Sequence, residues 1–85
     1  MKEKLLNKVI KRYNKYRSPR ATAELRRADE DLFKVQFEGS FDDSCCMDEY
    51  FFDLVYELKD EGLETELMDY KFEKGKYVAT FRFEN

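Results

Sequence analysis

The chain has no tryptophan and no histidine, one proline, three glycines and two cysteines in 85 residues. Without histidine there is no imidazole to serve as a general base or as the commonest metal ligand, which removes Ser-His and Cys-His catalysis and His-based metal sites. The scarcity of glycine and proline, beside 42% hydrophobic and 41% charged residues, excludes linker-like and disordered compositions. The cysteines, Cys45 and Cys46, are adjacent, so they give no disulfide framework and a bridge between them would be strained. No apolar run approaches the roughly 20 residues of a membrane span. The N-terminal MKEKLLNKVIKRYNKY lacks the continuous apolar stretch of a signal peptide. These absences lead to an expected cytoplasmic setting.

What is present is a charge imbalance. Residues 1–27 carry ten basic and two acidic side chains, a balance of +8, and residues 28–85 carry six basic and seventeen acidic, a balance of −11, which sum to the net −3. Segregation of this size speaks to partners, or to how the two halves face each other.

Periodicity supplies the elements. Leu5, Leu6, Val9, Ile10, Tyr13 and Tyr16 recur at helical spacing, which predicts a helix over 2–17 ended by Pro19. In 44–62, SCCMDEYFFDLVYELKDEG, the residues Met47, Tyr50, Phe51, Leu54, Val55 and Leu58 form the apolar stripe of a second helix stopped by Gly62, with Asp43 or Ser44 as its N-cap. Alternation predicts strands at 21–28 and 32–38, joined by Asp29-Glu30-Asp31, and at 64–73 and 76–84, joined by the hairpin signal Lys74-Gly75. Phe33, Val35 and Phe37 share one face of the second strand, and Tyr77, Ala79, Phe81 and Phe83 one face of the fourth. In the third strand Leu67 and Met68 are neighbours that cannot both turn inward without a bulge, and the expected inward set is Met68, Tyr70 and Phe72.

One domain, 1–85, follows, made of two αββ halves at about 1–39 and 44–85, the first containing VQFEG and the second FRFEN. The expected fold is an α+β, αββαββ two-layer sandwich: a four-stranded sheet with both helices on one face, like a circularly permuted ferredoxin-like domain. Strands two and four are expected at the centre, parallel to each other, with strands one and three at the edges.

No catalytic constellation, cofactor fingerprint or metal-ligand spacing is visible, so the chain reads as a non-enzyme without cofactors. Four features remain. Lys4, Lys8, Lys11 and Lys15, with Arg12 beside them and Arg17, Arg20, Arg26 and Arg27 further along, form a basic ladder that starts on the first helix, and like charges so placed oppose helix formation by roughly 0.2–0.5 kcal/mol per pair. The cations either track phosphates on a nucleic acid or answer an acidic flank of the second helix, Glu49, Asp53, Glu57 and Asp60; that pairing, within the chain or between subunits, is the stronger expectation. Cys45 and Cys46 fall at a helix start, where the dipole favours a thiolate, but Asp42, Asp43, Asp48 and Glu49 oppose it, so packing outweighs redox or metal roles. The same carboxylates do not follow a calcium-loop pattern. GKYVATFRF at 75–83 has a passing likeness to the aromatic strand of RNA-recognition domains, with its rings placed in the core by alternation. Finally Cys45, Phe52 and Tyr56 line a second apolar face of the second helix, either covered by the chain or serving as a protein contact, including a homodimer.

The run from Phe33 to Leu67 resembles a segment of small uncharacterised archaeal proteins, in which a strand ending near Phe37-Glu38-Gly39 precedes a cysteine-bearing turn and an acidic, aromatic helix. That family often has Cys-x-x-Cys in the turn, whereas here the cysteines are adjacent. The resemblance implies a fold neighbour and no activity. The function expected is protein binding or self-association, with nucleic-acid binding through the basic helix as the alternative and a thiol role third.

Overall fold

The computed structural model describes residues 2–17, 21–39 and 48–84. Cys45, Cys46, Met47, the N-cap candidates Asp43 and Ser44, Asp42, Pro19 and Arg20 lie outside them. The element order is α1 (Lys2–Arg17), β1 (Thr22–Ala28), β2 (Leu32–Glu38), α2 (Asp48–Asp60), β3 (Thr65–Glu73) and β4 (Lys76–Phe83). The four strands form one sheet in the order β1-β2-β4-β3, with β2 and β4 central and β1 and β3 at the edges.

Every neighbouring pair is antiparallel, including β2 with β4, which corrects the expected parallel centre. The reason is connectivity. The α2 crossover returns β3 parallel to β2 but one strand away, and the tight hairpin then reverses the chain, so β4 fills the gap running opposite to both. That hairpin has positive φ at both central residues, Lys74 (54°) and Gly75 (80°), the conformation that matches strand twist in a two-residue loop.

Both helices cover one face. From α1 come Leu6, Val9, Ile10 and Tyr13, from α2 Phe51, Leu54 and Leu58, and from the strands Ala23, Phe33, Val35, Phe37, Ala79, Phe81 and Phe83, all buried together. Rings dominate the contact: Phe33 stacks on Phe81 at 5.0 Å between centroids, and Phe37 meets Phe51 edge-on at 4.9 Å. Tyr16, expected on the buried stripe, is exposed at the end of α1.

Each edge strand carries a bulge, between Leu25 and Arg27 in β1 and between Leu67 and Asp69 in β3. The bulges solve the same problem twice. Ala23 and Leu25 set a phase that would turn Arg27 inward, and Thr65 and Leu67 set one that would turn Asp69 and Lys71 inward. One extra residue, Arg26 or Met68, shifts the phase, so that Ala28 faces Phe33 while Tyr70 and Phe72 face Ala79 and Tyr77 across the sheet. Tyr70 and Phe72 therefore stand on the helix side, as the pattern suggests, with Tyr70 4.7 Å from Phe51 and Phe72 4.8 Å from Tyr77. Neither is buried, although Tyr70 touches Phe51 of α2, and Met68, the extra residue of the bulge, is exposed as well, while Leu67 takes the inward place opposite Phe81. This corrects the expectation that all three are core.

α2 ends in a two-bond turn: Gly62 N–H donates to the Lys59 carbonyl (2.9 Å) and Leu63 N–H to the Leu58 carbonyl (2.9 Å). Gly62 sits at φ +89°, and Leu63 packs against the core as the chain turns into β3.

Candidate functional site

The two helices meet along a charged seam. Asp53 and Glu57 on one flank of α2, and Glu61 in the turn just beyond it, recur every four residues. From α1, Lys8 reaches Glu61 (3.5 Å), and Arg12 bonds Glu57 (3.2 Å), Glu61 (2.8 Å) and the Glu57 carbonyl (3.4 Å). Arg17 donates to Asp53 (3.4 Å) and to Glu57, while its guanidinium lies 4.4 Å from the centre of the buried Tyr13 ring. Ascending α1 thus pairs with descending α2, an antiparallel helix pair. Glu61 is held below the usual carboxylate range, first by its hydrogen bond from Arg12 and then by the charge of Lys8, and Arg12 is pushed up by its bonds to Glu61 and Glu57. Burial pushes the Tyr13 phenol up, and its hydroxyl donates to the Tyr50 carbonyl at 2.8 Å.

The basic ladder is therefore divided. Lys8 and Arg12 belong to the seam; Lys4, Lys11 and Lys15 project from the side of α1 opposite its buried stripe, with Lys15 5.7 Å from the centre of the Tyr16 ring. The acidic partners differ from the expected set: Glu49 and Asp60 are exposed away from α1, and Glu61 takes the place that was assigned to Asp60. The i, i+4, i+8 spacing of Asp53, Glu57 and Glu61 is the signal that identifies them, and Arg17, named with the ladder in the sequence, joins the seam.

The sheet face opposite the helices is polar. Gln36, 5% exposed, takes a hydrogen bond from Arg26 and reaches Glu24 (3.5 Å) and Glu38 (3.4 Å). Arg82 bonds Glu66 at 2.7 Å. Phe81 and Phe83 are buried on the other side, so among the described residues this face offers no rings on which bases could stack. No three metal-ligating side chains come together among the described residues, and Cys45 and Cys46 lie outside them. No described helix is long and apolar enough to cross a membrane.

The two edges of the sheet are finished differently. At β1, the Asn14 side chain donates to the Ala23 carbonyl (2.9 Å) and accepts from the Ala23 N–H (2.7 Å), so α1 occupies both outward backbone groups of that residue. β3 is the last strand on its side among the described residues, and it carries Met68 (50% exposed), Tyr70 (40%) and Phe72 (61%). Phe52 (43%) and Tyr56 (65%) stand on the flank of α2 away from α1, and Val55, Tyr56 and Lys59 line a small open hollow with Glu64, Thr65 and Glu84 beside the start of β3. Five large apolar side chains are thus exposed on the α2–β3 side of the molecule. Phe52 and Tyr56 were visible in the sequence; Met68, Tyr70 and Phe72 were hidden by an alternation that reads as core. Cys45, placed on the same apolar line by spacing, lies outside the described residues.

No protein-family model matches the chain, and no curated protein matches it. Among solved structures, the periplasmic domain of XcpY is similar in fold, with a TM-score of 0.56 and 16% identity over 93% of this chain and 90% of that one. The α+β architecture thus recurs nearly end to end in a solved protein. That likeness also points away from the expected cytoplasmic setting, because the solved domain of this fold is periplasmic.

Proposed function

We propose that this chain works as a small non-catalytic protein-binding domain, with itself among its partners, and that the contact surface is the α2–β3 side. One observation carries the reading: Phe52, Tyr56, Met68, Tyr70 and Phe72 are all at least 40% exposed on that side, while on the opposite edge Asn14 holds the Ala23 backbone. Exposed rings beside a strand edge that no described strand extends are what protein interfaces use as anchors, because they bury much area for little loss of side-chain freedom. The basic helix supports nucleic-acid binding less well, since Lys8 and Arg12 are already engaged by Glu57 and Glu61.

Light scattering across a concentration series tests this. The expected result is a mass that rises with concentration and falls back to the monomer value in Phe52→Ala/Tyr56→Ala. A monomer at high concentration, with no change in that variant, counts against the reading.

A further inference from the structure

The order of side chains along β3 specifies one partner. From the bulge residue Met68 onward the strand reads Met68, Asp69, Tyr70, Lys71, Phe72: apolar, acid, apolar, base, apolar. The sequence is self-complementary about Tyr70 when read in opposite directions. Tyr70 and Phe72 face the helix side, opposite Ala79 and Tyr77, whereas Asp69 and Lys71 face the other side, opposite Thr80 and Val78. We propose that a second copy of this chain adds to the β3 edge, antiparallel and centred on Tyr70, so that two four-stranded sheets join into one. The proposal rests on the protein-binding reading above and names its partner and register.

In that register Asp69 opposes Lys71 of the second copy, and Lys71 opposes its Asp69. Directly opposed residues of antiparallel strands stand close enough for such pairs to matter. Moving the centre by one residue removes the match: centred on Asp69, two carboxylates oppose each other, and centred on Lys71, two ammonium groups do. Charge therefore selects the register as well as the partner. A lysine and a bulge are also devices that keep an edge strand from pairing. Here the bulge sits at one end of the segment, leaving 69–73 regular, and the charge of Lys71 is answered by Asp69 within the same motif.

Strand pairing alone covers less than the roughly 800 Å² per partner of a stable dimer. The remainder is available beside it. With both copies' helices on the same side of the joined sheet, the α2 flanks carrying Phe52 and Tyr56 approach each other above the paired strands, and the exposed parts of Tyr70 and Phe72 lie beneath them. The β1 edge does not offer this, because Asn14 already holds the Ala23 backbone.

Charge exchange at two exposed positions tests the register. Analytical ultracentrifugation is run on the wild-type chain, on Asp69→Lys, on Lys71→Asp, on the double variant Asp69→Lys/Lys71→Asp, and on an equimolar mixture of the two single variants, with circular dichroism confirming that each is folded. Each single variant turns two attractive pairs into two repulsive ones, and its dimer should weaken by about tenfold or more. The double variant and the mixture restore opposite charges at both positions and should recover wild-type affinity. A dimer that ignores the single charge changes but is lost in Phe52→Ala/Tyr56→Ala overturns the register and leaves the protein-binding reading intact. A wild-type chain that stays monomeric at about 1 mM, far above the dissociation constants of ordinary specific complexes, overturns self-association in any register.

Discussion

Replacing Asn14 by alanine removes both hydrogen bonds between α1 and the Ala23 backbone, 2.9 Å to its carbonyl and 2.7 Å from its N–H. A net value of about 0.5–1.5 kcal/mol per bond sets the loss at about 1–3 kcal/mol. Two effects reduce it. Ala23 lies on an edge strand, where water can take over the freed groups, and alanine is the better helix former by about 0.5 kcal/mol. A net loss of about 1–2 kcal/mol follows, which for a domain of this size lowers the melting temperature by roughly 4–16 °C. Asn7→Ala is the matched control: Asn7 is exposed on the same helix, gains the same propensity and should leave stability equal or slightly raised. The assay is thermal and urea unfolding of both variants, with hydrogen exchange of the Ala23 amide, which should speed up in Asn14→Ala alone. If Asn14→Ala is as stable as Asn7→Ala, and the Ala23 amide exchanges as in the wild type, the bracing of the β1 edge is refuted.

Gly62→Ala should cost about 1–2 kcal/mol, read as a lower urea midpoint. The φ of +89° strains any L side chain, although a Cβ there would meet nothing within 4 Å, so steric crowding is not the cause. The carboxyl of Glu61 lies below its ordinary value of 4.5, so its contribution is complete above that pH and is lost as pH falls through the lowered value. In acid titrations of stability, Glu61→Gln should converge on the wild type at low pH and fall below it at neutral pH. Tyr13 has the opposite sign. Its phenol is held protonated by burial, so above 10.0 the unfolded chain releases a proton that the folded chain keeps, and stability falls as pH rises. Urea melts between pH 9 and 11 should show this loss in the wild type and a shallower one in Tyr13→Phe.

Helix and strand positions were legible because each apolar stripe has one period and ends at a glycine, a proline or a turn. α1 at 2–17 and β2 at 32–38 agree with the spacing, and so does the placement of β2 and β4 at the centre, since the edge strands carry more charge. The direction of the central pair was misjudged because the apolar pattern holds no information on polarity; connectivity does. The third strand shows a second limit. The conflict between Leu67 and Met68 is visible in sequence and points to a bulge, and the residues after it do face the helix side. Whether a side chain on the correct face is also covered depends on what packs above it, which alternation cannot express. Tyr70 and Phe72 therefore read as core and are surface. The charged seam was half legible for a related reason: a helical wheel locates an acidic flank, but the reach of Arg12 and Arg17, and their fit to Glu57, are tertiary facts.

The asparagine brace at β1 also bears on how far assembly can proceed. A sheet with two receptive ends can add molecules at both, and head-to-tail addition of that kind has no natural stopping point short of a fibre. With the Ala23 backbone held by its own helix, pairing through β3 as proposed would leave each copy a single valence. Two copies so joined would present two braced ends to solvent, and growth would terminate at the pair. One amide side chain on α1 would thus fix the stoichiometry of a contact made at the far side of the sheet.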